Sequence, residues 1–245
     1  MSRAAARRRL VLPLDVDSVR DADRLVRLLA GEVGLFKVGK QLFMHAGPDV
    51  VRRIQRRGGE VFLDLKFHDI PQTVALAGVE AARLGVRMFN VHAAGGATMM
   101  ATTAAAVRDA CRRERLRRPI LLAVTVLTSL GDEDLHAVGV RETAAKQVVR
   151  LARLAKANGM DGVVASPREI GAIRRACGKD FVILTPGIRQ ATDDRGDQKR
   201  VETPEAAARA GADYLVVGRP IRGAADPVAA ARAFVAAMAR GLAAR

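Results

Sequence analysis

Asp64, Lys66 and Asp69 fall in the run Val61-Phe62-Leu63-Asp64-Leu65-Lys66-Phe67-His68-Asp69-Ile70-Pro71, where an apolar stretch of strand type ends abruptly in opposite charges. Asp64 and Lys66 are two residues apart, so on a strand they share a face. A strand that begins Val-Phe-Leu is buried, and charge on its inward face is costly unless it is paired or used. Two carboxylates flanking one ammonium can hold a lysine charged in a dry site and set its proton affinity. The competing reading is a structural ion pair at a strand end, and this motif alone leaves both open.

The rest of the chain supplies a frame for these residues. Short Val/Ile/Leu runs occur near 10–15, 34–39, 60–66, 87–92, 120–127, 161–166, 181–185 and 214–218, separated by longer amphipathic stretches rich in Ala and Arg. Ser166-Pro167, Thr203-Pro204-Glu205 and Asp226-Pro227 read as helix starts. Gly58, Gly85, Gly159, Gly178 and Gly211 sit where helices should stop. Eight strand–helix units in 245 residues predict an α/β fold, a single-domain (β/α)8 TIM barrel. A doubly wound open sheet would be expected to carry GxGxxG after its first strand. Here that position reads Leu14-Asp15-Val16-Asp17. The expected division is a loose basic tail over 1–8 and a catalytic barrel over 9–245. The polar segment 187–202 is too long for a plain turn and reads as a mobile lid.

In a barrel the working residues sit at the C-terminal ends of strands. Those ends carry Asp15, then Lys37, then Asp64 and Lys66, with Asp69 in the next loop. Separately, Asp15 reads equally as a helix cap, Lys37 as a snorkelling strand end and Asp69 as a cap before Pro71. Alternating charges converging on one rim favour chemistry over three unrelated structural roles. Barrels commonly bind phosphate with the loops after strands 7 and 8. There the chain reads Thr185-Pro186-Gly187-Ile188-Arg189 and Val217-Gly218-Arg219-Pro220. Gly218 allows close backbone approach, and Arg189 and Arg219 each offer a guanidinium fork. The alternative is two ordinary surface arginines. His45, His68, His92 and His136 include no HxxxH spacing, so no metal site is expected. His92, beside Asn90 and Gly95-Gly96, reads as a structural residue lining the barrel mouth.

Composition narrows the partners. Hydrophobic residues make up 49% and aromatic residues 3%, so the core must be built from Val, Leu, Ile and Ala. The formal charge is +15, with 41 basic residues of which only seven are Lys. Most of the arginines recur at helical spacing, as in Arg52, Arg53, Arg56 and Arg57, and form solvated faces. No aromatic residues interleave with them to stack bases, so nucleic acid is not the expected partner. A positive field still speeds capture of a small anion. Cys111 and Cys177 are isolated, which suits a reducing cytoplasm. Arg7-Arg8-Arg9 precedes an apolar stretch, but Pro13 and Asp15 make that stretch a strand and not a signal peptide. The longest uncharged run, 88–107, holds Asn90, His92 and several Gly and Thr, so no membrane span is expected.

Taken in order, seven motifs resemble the orotidine 5′-phosphate decarboxylase family, bacterial branch, from about residue 10 to residue 222. They are Leu14-Asp15, Phe36-Lys37-Val38-Gly39, the run Asp64 to Pro71, Thr125-Val126-Leu127-Thr128-Ser129, Leu184 to Arg189, Gly196-Asp197-Gln198, and Val216 to Ile221. The resemblance implies decarboxylation of orotidine 5′-monophosphate to UMP, the last step of de novo UMP synthesis, without a cofactor. It implies that Asp15 and Lys37 bind the ribose hydroxyls and that Asp64 faces the substrate carboxylate. Lys66 would protonate C6 of the ring. Asp69 would reach into the neighbouring subunit's site, making a homodimer. Thr128 and Ser129 would contact the pyrimidine. Arg189, Gln198, Gly218 and Arg219 would hold the phosphate, and Thr73 and Pro186 complete the implied substrate contacts. Gln41 stands where many relatives carry an acid, outside the charge network. The magnesium-dependent 3-hexulose-6-phosphate synthase group shares the Asp-x-Lys-x-x-Asp run but typically carries Glu where this chain has Lys37. An ammonium there cannot ligate a cation.

Overall fold

The computed structural model describes residues 2–189 and 202–244. All eight expected strands form: β1 (Leu10–Pro13), β2 (Leu35–Gly39), β3 (Glu60–Phe67), β4 (Met88–His92), β5 (Ile120–Val124), β6 (Gly162–Val164), β7 (Val182–Thr185) and β8 (Tyr214–Val216). They close into a barrel in chain order, each parallel to the next, and β8 pairs back onto β1. Helices connect successive strands, as a (β/α)8 barrel requires.

The strands are apolar on both faces because both faces are covered. Val11, Leu35, Phe62, Met88, Leu122, Leu184 and Val216 point inward and form a buried layer of their own. Their alternate neighbours, such as Phe36, Leu63, Phe89 and Ile183, join the larger core beneath the helices. This inner layer is the floor on which the polar residues of the mouth stand.

The helix boundary signals operate as expected. Thr203 accepts from the Ala206 N–H, and Asp226 accepts from the N–H groups of Val228 and Ala229. Gly211 closes its helix at φ +117° and Gly178 at +81°, where a side chain would be strained. The arginine clusters at 52–57 and 112–118 are solvent-exposed, as their spacing predicts.

The N-terminus differs from the loose tail expected. Arg3–Arg7 is a short helix capped by Ser2, and Ala6 is fully buried. It packs against the final helix, Pro227–Ala243, and the Arg7 guanidinium donates to Gly31 O at 2.5 Å. Ala6, with Ala5 half-buried beside it, gives this segment an apolar contact that the basic composition obscured. No helix among the described residues is long and apolar enough to cross a membrane.

Candidate active site

The barrel interior changes character one step above its apolar floor. Two residues beyond Leu35 stands Lys37; two beyond Phe62, Asp64; two beyond Met88, Asn90. The period of two carries each strand from the floor to the mouth on the same face.

These side chains form one connected chain. Lys37 Nζ lies 3.0 Å from Asp15 Oδ1 and 3.3 Å from Asp64 Oδ2. Lys66 Nζ lies 2.6 Å from Asp64 Oδ1. Asn90 Nδ2 donates to the same Asp64 oxygen at 2.7 Å. Asp64 is 8% exposed, whereas the Asp15 side chain is half-exposed. Burial alone would raise the Asp64 pKa. The fields of Lys37 and Lys66, with the hydrogen bonds from Lys66 and Asn90, outweigh it and hold the carboxyl below its ordinary range. The neighbouring His92 is pushed down to about 4, chiefly by burial and then by His68, Lys66 and Lys40.

Lys66 departs from simple strand alternation. Its φ is +53°, unusual for a residue with a side chain. Between Leu63 and Phe67 the pairing with β4 shifts register: four steps of β3 span two steps of β4, from Phe89 to Val91. The Asp64–Lys66 contact expected from a two-residue spacing is present, but the bulge is part of how it is made.

Asp64 and Lys66 face a cavity of about 180 Å³ with an apolar lining from Phe62, Val124, Leu184 and Val216, and with Thr128 and Pro186 at its side. Lys37, Pro186 and Val216 also border a wider cleft of about 400 Å³, lined further by Asp15, Arg189, Gly218, Arg219 and Arg222. A Cβ on Gly218 would lie 2.9 Å from Pro13 Cγ, so close packing against β1 demands glycine there. The two spaces form an inner apolar chamber with a charged wall and an outer cationic cleft. A groove of about 490 Å³ on the outer flank of β3, lined by Leu63, Leu65 and Phe67, belongs to neither.

The structure thus brings together Asp15, Lys37, Asp64, Lys66, Thr128, Pro186, Arg189, Gly218 and Arg219. It does not bring in every residue singled out by sequence. Ser129 is exposed and does not line the chamber. Thr73 is exposed in the first turn of the helix Pro71–Arg83. Asp69 is exposed, and its Oδ1 accepts from the Ile70 N–H at 2.6 Å. Gln198 and most of the expected lid lie outside the described residues. The segment's base is tied, since Arg189 N donates to Glu202 O and Glu202 N donates to Gly187 O. Two further residues join the site beyond those expected, Asn90 at the charge chain and Arg222 in the cleft. Asn90 was legible as the position two beyond Met88; Arg222 carried no signal apart from many other arginines.

The Orotidine 5′-phosphate decarboxylase / HUMPS family model matches residues 8–234. The chain belongs to this family. It is 58% identical over 237 residues to an orotidine 5′-phosphate decarboxylase from Syntrophotalea carbinolica, covering 97% of each chain. It is 55% identical over 230 residues to one from Pelobacter propionicus, covering 94% of this chain and 95% of the relative. The crystal structure of orotidine 5′-phosphate decarboxylase from Lactobacillus acidophilus superposes with a TM-score of 0.82 at 38% identity, covering 94% of this chain and 98% of that one. The matched range takes in all eight strands and every residue of the charge chain.

Proposed function

We propose that this protein decarboxylates orotidine 5′-monophosphate to UMP and carbon dioxide, the closing step of de novo UMP synthesis. The observation that carries this reading is the Asp15–Lys37–Asp64–Lys66 chain, which runs from the cationic cleft into an apolar chamber. The barrel over 9–245 is taken as the catalytic unit, acting without a cofactor in the cytoplasm. Both cysteines are buried free thiols, which suits that compartment.

The phosphate would lie in the outer cleft against Arg189, Gly218 and Arg219, with Gln198 from the segment above. The ribose hydroxyls meet Asp15 and Lys37. The pyrimidine enters the inner chamber beside Thr128 and Pro186; Ser129 and Thr73, exposed outside that chamber, are not among its contacts within the same protomer. Its carboxylate faces Asp64. As the bond from C6 to the carboxyl carbon breaks, its electron pair stays on C6 and carbon dioxide departs. A Lys66 N–H proton then bonds to C6, leaving a neutral amine that solvent reprotonates.

Magnitudes show why one lysine is insufficient. An ammonium about 4 Å from a developing charge contributes about 4 kcal/mol at an effective dielectric of 20. Rate enhancements of ~10¹⁷-fold require ~23 kcal/mol. The remainder must come from charge already in place before substrate arrives, from exclusion of water, and from phosphate binding that drives closure.

Asp69 enters as a shared residue of a homodimer. It is exposed, three residues beyond Lys66, outside the charge chain of its own protomer. Ile70, next to Asp69, is 66% exposed, and Leu76 on the helix that follows is 57% exposed, apolar side chains that a second copy would cover. Nucleic acid and membrane have no role in this reading.

The test is the ultraviolet absorbance change of orotidine 5′-monophosphate mixed with purified protein in EDTA. Conversion to UMP is the expected result. A folded dimer with no turnover would turn attention to magnesium-dependent sugar-phosphate chemistry, against which the Lys37 ammonium between Asp15 and Asp64 already argues.

A further inference from the structure

Asn90 is 1% exposed and both ends of its amide are engaged. Its Nδ2 donates to Asp64 Oδ1 at 2.7 Å, and its Oδ1 accepts from the Lys66 backbone N–H at 2.8 Å. The second bond fixes the orientation of the first. An N–H can only donate, so the oxygen must face Lys66 and the nitrogen must face Asp64.

The position of this bond gives it meaning. Where β3 bulges away from β4 between Leu63 and Phe67, the strand ladder is interrupted. The Asn90 side chain bonds the Lys66 N–H within that interruption, at the residue whose φ is +53°. Left-handed backbone at a residue with a side chain persists only where its surroundings fix it.

We propose that Asn90 is a positioning residue for the decarboxylation. It holds the Asp64 carboxylate and the bulged Lys66 backbone together, so that carboxylate and ammonium face the reacting carbon in fixed geometry. This inference rests on the decarboxylase reading above. Asn90 sends no group to the outer cleft, so it acts on turnover and not on phosphate capture.

The test is Asn90→Asp, which keeps the shape and the acceptor but replaces the donor with an anion. The charged groups facing the new carboxyl are Asp64 and Lys66 from β3, with Lys37 of β2 beyond Asp64. On its own strand His92 is two residues on, near His68, while β5 sets Leu122 opposite. Two adjacent carboxylates disfavour double ionisation and tend to share a proton. The shared proton restores a donor toward Asp64. At pH 8 the variant should lose about 100-fold in kcat, the scale of an ångström-level misplacement. Its affinity for UMP should stay within about threefold. Lowering the pH to 5.5 should restore at least about tenfold relative to wild type, as the carboxyl pair takes up its proton. Asn90→Ala, which removes both bonds, should lose turnover with no such recovery.

An Asn90→Asp variant with wild-type kcat at pH 8 would overturn the inference. So would a deficit independent of pH, or an equal loss of UMP affinity. The wild-type protein in the same assay reports on the decarboxylase reading by itself: if it turns nothing over, that reading fails. An active wild type with an unaffected Asn90→Asp variant fails only the inference about Asn90.

Discussion

Lys66 Nζ stands 2.6 Å from Asp64 Oδ1, an ion pair made by residues two apart on a bulged strand. Lys37 holds the other oxygen of the same carboxylate at 3.3 Å. One buried anion is therefore shared by two ammonium groups, and Asp15 balances the outer one. Charges fixed by one another in this way are what electrostatic preorganisation requires.

Removing the proposed proton donor should separate chemistry from binding. Lys66→Ala should lower kcat by at least about 1,000-fold, the combined scale of a lost general acid and a lost charge. Affinity for UMP should change little, because the cationic cleft is untouched. Steady-state turnover beside a UMP titration checks both. Near-normal turnover would remove Lys66 from its role.

The proposed shared site can be tested by mixing inactive chains. On that reading Lys66→Ala and Asp69→Ala protomers each lack one part, and a hybrid dimer would regain one whole site. With random assortment, an equal mixture should recover about a quarter of wild-type activity. Hybrids seen by native mass spectrometry without any recovered activity would rule out Asp69 acting across the interface.

Asp64 should leave a signature in acid stability. Its pKa is lowered in the folded state, so its ionised form favours folding above the unfolded carboxylate value of about 3.9. That contribution is lost as pH falls through the lower folded value. The stability difference between wild type and Asp64→Asn should therefore hold steady from pH 7 to about pH 4 and change only below it. Denaturant unfolding at each pH measures it. A difference that already fades between pH 6 and 5 would contradict the depressed pKa.

Arg219 should report on the phosphate. Arg219→Ala should weaken UMP binding by roughly 10- to 100-fold, the range for a lost hydrogen bond to a charged group. Uridine, which lacks the phosphate, should bind wild type and variant alike. Equal loss for both ligands would place the effect elsewhere.

The opposite end of the barrel should govern stability without touching turnover. Arg174 donates to the carbonyls of Gly211, Gly178, Lys179 and Phe181 and pairs with Asp213, pinning the starts of β7 and β8. Arg174→Met removes these carbonyl bonds and one of the Asp213 partners, while Asp213 keeps the Ile183 N–H and Arg9, a loss of about 3 kcal/mol summed over several hydrogen bonds. The unfolding midpoint should fall by roughly 10 °C while kcat is unchanged. A comparable loss of kcat in the folded variant would show that the two ends are coupled.

The sequence by itself determined the barrel and the identity of its charged rim. Strands buried on both faces must read as apolar runs, and glycine or capped proline must punctuate the helices, so eight units could be counted. The period of two then sent Lys37, Asp64 and Asn90 inward above Leu35, Phe62 and Met88. Tertiary structure decided what local spacing cannot encode. The bulge at Lys66 depends on how β3 meets β4, a pairing between residues far apart in the chain. Arg222 joined the cleft only because barrel closure brings the last strand beside Asp15, and one arginine among many gives no local sign of that. The helix at Arg3–Arg7 was hidden for the same reason: its buried Ala6 is meaningful only once the final helix packs on the segment.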